Sequence, residues 1–179
     1  MKKLISLLLF LTMIPLVAKS QTNIYDSTGD IQGDGYIYTC VHKHKFTVNL
    51  YNKENTITLQ NAKQVNRATG IPVNDIRGKL VEDDDWTYEK CQSICAEKLD
   101  SYLNQTEKTA YVYVAVFVSP DTGRITDIVF EFSKNSVLAP VPISIFHEIE
   151  TRLKNEVWFV PTPLGKTLNF ISRGFVRTN

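Results

Sequence analysis

The sequence predicts an α+β domain: an antiparallel sheet with two helices packed on one face. Three observations predict it. Residues 111–133 hold two runs of β-branched and aromatic residues on either side of a Pro-Asp-Thr-Gly turn, a strong hairpin signal. Two other stretches repeat apolar residues at three- and four-residue spacing, as amphipathic helices do. The strand-like runs fall around those helices in the order β-β-α-β-β-α-β, which suits strands and helices segregated into layers rather than alternating in a parallel sheet.

The chain opens with Lys2 and Lys3, a continuous apolar run from Leu4 to Val17, and Ala18-Lys19-Ser20 before Gln21. This is the pattern of a signal peptide over 1–20, so the protein is expected to be exported, periplasmic or secreted. The run is too short for a comfortable membrane span, and no span is expected once the leader is cleaved. Residues 21–35 are polar and turn-rich and predict an irregular arm. The remainder, 36–179, is expected to fold as one domain, since a chain of this size buries enough surface to do so alone.

From Tyr36 to Tyr51 the residues alternate, with Tyr36, Tyr38, Cys40, His42, His44, Phe46, Val48 and Leu50 on one face of a long predicted strand. Asn52 to Asn55 turns the chain, and 56–65 predicts a return strand, giving an N-terminal hairpin over 36–66. Gly70, Pro72 and Gly78 mark a loop. Asp83, Asp84 and Asp85 favour the N-terminus of a helix over 84–104, because acids there oppose the positive end of the dipole. Its predicted buried stripe starts at Trp86 and continues through Cys91, Ile94, Cys95, Leu99, Tyr102 and Leu103.

In the central hairpin, 111–133, the turn pairs Ser119 with Arg124, and Gly123 takes the left-handed position. Counting outward places Tyr111, Tyr113, Ala115 and Phe117 opposite Phe132, Phe130, Ile128 and Thr126 on the expected core face. Val112, Val114, Val116 and Val118 then lie on the other face with Asp127 and Glu131. That valine face is expected to be covered by the N-terminal half of the chain or to bind a partner. A second helix is predicted over 142–155, with Pro142 in the first turn and Ile145, Phe146, Ile149 and Leu153 inward. Residues 165–177 predict the final strand.

These residues carry a resemblance. The run 111–175, with its VxVxFxV strand, Asp-x-Gly turn, amphipathic helix, Trp158-Phe159-x-Pro161 and Gly165, resembles the C-terminal domain of TonB energy-transducing proteins. The resemblance implies a non-enzymatic domain that binds a short peptide by adding it as a strand at a sheet edge. The chain differs from that family in its cleavable leader, its lack of a Pro-rich spacer and its added N-terminal hairpin. As a whole it resembles the small uncharacterised exported proteins of Bacteroides-type bacteria.

Charge and cysteines bound the rest. Without the leader the chain has 17 basic and 19 acidic residues, a near balance that argues against a nucleic-acid partner. The three cysteines of an exported chain suggest one disulfide, Cys40 with Cys91 or Cys95, because Cys91 and Cys95 share one helix face at a spacing that rarely suits a mutual bond. Cys40, His42 and His44 alternate on a strand, so a periplasmic metal site built from them is the second functional reading. His147 reads as a solvated helix-surface residue. Asp127 and Glu131 read as solubilising residues. No motif for a hydrolase nucleophile, a phosphate loop or a zinc finger occurs, and no cofactor is expected.

The first functional reading is an exported, non-enzymatic module that binds a protein or peptide of the cell envelope, or a second copy of itself. It would bind through the valine face or a sheet edge. The final strand is the candidate edge, with Lys166, Asn169 and Arg173 beside Val112, Val114, Val116 and Val118 as the expected partner-binding residues.

Overall fold

A computed structural model describes residues 23–73, 76–83, 85–106 and 109–179. The expected leader lies outside these residues. Six strands form one antiparallel sheet: β1 (Gly29–Gln32), β2 (Ile37–Lys43), β3 (Thr47–Asn52), β4 (Tyr111–Val118), β5 (Ile125–Ser133) and β6 (Ile171–Thr178). Their order is β1-β2-β3-β5-β4-β6, so β1 and β6 are the edges. Helices α1 (Asp85–Leu103) and α2 (Ile143–Glu156) cover one face. The α+β class with two helices on one face is as the sequence predicts.

The N-terminal part departs from expectation in three places. The long alternating stretch breaks at 44–46, where His44 turns the chain with φ 65° and Lys43 pairs with Thr47. The hairpin therefore lies within 37–52. Its even-numbered residues still share a face, so Tyr38, Cys40, Val48 and Leu50 are buried as the alternation implies, while Phe46 at the turn is 58% exposed. The expected return strand over 56–65 does not form; that segment instead crosses the sheet face opposite the helices. There Ile57, Leu59 and Ala62 pack on Ala115, Phe117, Val129 and Phe170. Third, the arm supplies β1, and Tyr25 before it is fully buried, its hydroxyl donating to Val141 O at 2.6 Å.

The central hairpin forms with Ile128, Phe130 and Phe132 of β5 in the core as expected, but with the two faces of β4 exchanged. Ser119 N donates to Arg124 O and Val118 pairs with Ile125, as counting from the turn requires. The ladder then shifts by one residue between Phe117 and Val118, leaving Thr126 unpaired; its hydroxyl donates to Phe117 O at 3.2 Å. Beyond this bulge Val112, Val114 and Val116 pair with Phe132, Phe130 and Ile128. A shift of one residue moves a whole side-chain set across the sheet. The valines therefore join Phe130 and Phe132 beneath the helices, and all of them are buried. The valine face is core, not a partner surface. Tyr113, Ala115 and Phe117 face the other way. Asp127 is also buried there: it accepts the Thr56 N–H at 2.8 Å and so helps hold the 56–65 segment.

Phe146 of α2 is the hub of the main core. It stacks on Phe132 at 5.4 Å and meets Phe130 at 5.0 Å and Tyr25 at 6.0 Å. Two polar residues join this layer. Glu150 is buried, accepting from the Tyr38 hydroxyl and from Lys154 Nζ at 2.6 Å. Burial, reinforced by the Glu150 carboxylate, pushes the Tyr38 phenol far up. His147 is not a solvated surface residue; its ring stacks on Tyr36 at 3.7 Å.

An ion-pair network ties α1 to α2 across their solvent side. Arg152 reaches Glu97 at 2.7 Å and Glu156 at 2.8 Å, and Lys90 reaches Glu156 at 2.7 Å. Hydrogen bonds from Arg152 and Lys90 hold the Glu156 carboxyl down at about 2, below its ordinary 4.5. A carboxylate whose pKa is depressed by folding contributes stability that is complete above its unfolded value and lost as pH falls toward the folded one. Stability is therefore expected to fall from about pH 4.5 to about pH 2. In urea titrations across that window, Glu156→Gln should lose less of its midpoint than the parent chain; an identical loss would remove the network's role.

Candidate functional site

The site is built on β6. Asn179 N donates to Ala110 O, which fixes the alternation of the β4–β6 ladder: Ile171, Arg173, Phe175 and Arg177 bond to β4, while Ser172, Gly174 and Val176 direct their backbone groups outward. Two glutamines close this edge at either end. Gln64 Nε2 donates to Phe170 O at 3.1 Å, and Gln92 Nε2 of α1 donates to Val176 O at 2.9 Å. Between them, among the described residues, nothing bonds the outward N–H and C=O groups of Ser172 and Gly174. Four backbone hydrogen-bonding groups thus face solvent in one short window. Gly174 suits the place because the Tyr113 hydroxyl lies 2.2 Å from where a Cβ would stand.

A cleft flanks this window on each face of the sheet. On the helix face a cavity of about 270 Å³ is lined by Val81, Val116, Phe159 and Phe175, with Tyr88, Glu82 and Arg173 among the polar residues. On the opposite face an open depression of about 650 Å³ is lined by Lys63, Gln64, Pro72, Phe170 and Ser172. The wall that carries Phe159 is pinned on both sides: Phe159 N donates to Gly123 O at 2.8 Å and Glu82 N to Val160 O at 2.8 Å. Trp158 in that wall and Trp86 of α1 meet at 4.8 Å and are each 45% exposed, with Arg124 5.0 Å over the Trp158 ring.

A family model for a domain of unknown function, DUF5043, matches residues 21–175. The chain belongs to the DUF5043 family. It is also similar to a solved DUF5043 family protein from Bacteroides uniformis ATCC 8492, at 30% identity and a TM-score of 0.78, over 87% of this chain and 88% of that one. No curated protein matches it.

In this DUF5043 chain the residues singled out from the sequence scatter. Cys40 is buried, and burial pushes its thiol up to about 11, away from the thiolate that binds metal. His42 Nε2 lies 2.9 Å from Tyr25 O, and His44 sits in the β2–β3 turn. Among the described residues no group of three or more Cys, His, Asp or Glu side chains could hold a metal ion. Cys40, Cys91 and Cys95 are buried thiols outside any disulfide, so the expected Cys40 bridge is not formed. Burial also raises the Cys95 thiol. Lys166 lies in a 3-10 turn before β6, and Asn169 bonds Val65 N and Lys63 O. Arg173 alone of the expected edge residues lines a cleft beside the open window.

The two glutamine caps and the tryptophan pair escaped sequence reasoning. Gln64 and Gln92 act through tertiary reach, which carries no periodic signal. Trp86 stands five residues before Cys91, off the three-and-four spacing; Thr87, four residues before Cys91, is buried in its place, and Trp86 turns to Trp158.

Proposed function

We propose that the protein is an exported, non-enzymatic interaction module that takes an extended segment of a cell-envelope protein or peptide as an added strand on β6. The observation that carries this reading is the Ser172–Gly174 window, open between two capped carbonyls and flanked by a cleft on each face. An added strand would bond the window through its backbone and send alternate side chains into the two clefts, the arrangement by which strand addition gains affinity and then specificity. The same binding mode is what the resemblance of residues 111–175 to the TonB C-terminal domain implies. Catalysis has less support: the helix-face cleft holds Thr87 and Cys91 with Glu82 and Asp83, but Asp83 is paired with Lys79 and the Thr87 hydroxyl donates to Trp158 O.

Ser172→Pro tests the proposal. The Ser172 N–H points away from β4, so proline removes a donor that only an added strand would use, and an edge position tolerates it. The variant should melt within a few degrees of the parent chain. It should also retain less than about a tenth of the envelope protein that the parent captures by cross-linking, since the lost donor and the bulk of the ring both oppose pairing. Equal capture by the two proteins would refute strand addition at this edge.

A further inference from the structure

We infer that the segment added to β6 belongs to a different protein and carries an acidic side chain directly opposite Arg173; this rests on the strand-addition reading above. The open window spans only Ser172 to Gly174, so Arg173 stands at its centre. Arg173 bonds inward to β4. Toward an added antiparallel strand it therefore forms a non-hydrogen-bonded pair, in which facing side chains come closest. Two copies of this chain pairing about a two-fold axis through the window would set Arg173 against its own copy, and like charges directly opposite each other are unfavourable. A centre at Ser172 sets Gly174 against Phe170 O, and one at Gly174 sets Ser172 against Val176 O, the carbonyls that Gln64 and Gln92 already occupy. The edge is thus built against self-pairing.

The same pair position favours a carboxylate. Arg177, four residues on and on the same face, is matched by Asp100 of α1 at 2.5 Å, while Arg173 has no ion pair among the described residues. In its cleft Asp83 is paired with Lys79, and Glu82 stands on the segment leading into α1. A strand with an acid opposite Arg173 and aliphatic residues two positions to either side would place the apolar pair over Val81, Phe159 and Phe175.

Three blocked heptapeptides of sequence Ser-Val-Thr-X-Thr-Val-Ser, with X as Glu, Gln or Lys, test this against the isotope-labelled mature chain. Amide exchange at Ser172 and Gly174 reports pairing, and shift titration reports affinity. The Glu peptide should protect both amides and bind about fivefold or more tighter than the Lys peptide, the span expected of one cross-strand charge pair. Arg173→Glu should reverse that order, and Glu82→Gln should leave its sign unchanged. Protection of both amides with no preference, or with the Lys peptide preferred, would overturn the acidic assignment and leave strand addition standing. Protection by none of the three would refute strand addition and the inference with it. Protection that rises with protein concentration in the absence of peptide would show self-pairing and overturn the inference alone.

Discussion

Phe146→Ala lowers the free energy of unfolding by about 3–5 kcal/mol, the range for truncating a large buried aromatic side chain. The ring is fully buried and touches the rings of Phe130, Phe132 and Tyr25, so its removal opens a cavity bounded by β5, α2 and the N-terminal arm at once. Those walls belong to separate elements and cannot all close on the space together. Urea unfolding should show the loss as a lower midpoint with an unchanged slope. Phe146→Leu, which keeps most of the volume, should recover more than half of it. A loss below about 1 kcal/mol for the alanine variant would mean that the arm and α2 do not form one packed unit with the sheet.

Gly123→Ala is the second large effect, because it loads two costs on one atom. Gly123 has φ 69°, and an L-residue in the left-handed region costs about 1–2 kcal/mol. A Cβ there would also stand 1.9 Å from the Phe159 carbonyl oxygen, which is main chain and cannot rotate away. The segment holding Trp158 and Phe159 must move, although Phe159 N is hydrogen-bonded to Gly123 O. Because Phe159 lines the helix-face cleft, peptide binding at β6 should weaken in the same variant. Gly123→Asn separates the two costs, since asparagine tolerates the backbone angle but still carries the Cβ. Most of the loss should remain in that variant; full stability for Gly123→Asn would mean that the contact with Phe159 carries no weight.

The helices show how far periodicity reaches. Cys91, Ile94, Cys95, Leu99 and Leu103 are buried along α1, and Phe146, Ile149 and Leu153 along α2, as their spacing predicts. Trp86, placed at the head of the stripe although it stands five residues before Cys91, is exposed, while Glu150, in phase with Phe146 and Leu153 but polar, is buried. A stripe says which way a residue points. It does not say whether a neighbour is there to cover it or, for Glu150, whether Tyr38 and Lys154 are there to bond it.

The hairpins show where periodicity misleads. Alternation over 36–51 survives the β2–β3 turn because the three-residue loop preserves parity, so one strand and two strands look alike in the sequence. In the central hairpin the turn and the core face of β5 were legible and the bulge at Thr126 was not, and that one residue exchanged the core and outer faces of β4. Of the two expectations for the valines, cover and not a partner patch is what the fold shows, with α1 from the N-terminal half and α2 lying over them. Of the expected edge residues Arg173 remained at a cleft, because its place depends on β6 being an edge strand and not on the register of β4 with β5.

By itself the sequence determined the elements that rest on local chemistry: the two amphipathic helices, the Pro-Asp-Thr-Gly turn, a sheet of alternating strands and the near balance of charge. Only the tertiary structure decided which side of β4 became core, that 56–65 covers the sheet and does not extend it, and that Gln64 and Gln92 leave Ser172 and Gly174 open. The reason is physical. Turns and helical stripes arise from neighbours a few residues apart, whereas strand register, face coverage and edge capping are set by contacts between residues far apart in the chain, where a shift of one position changes every pair.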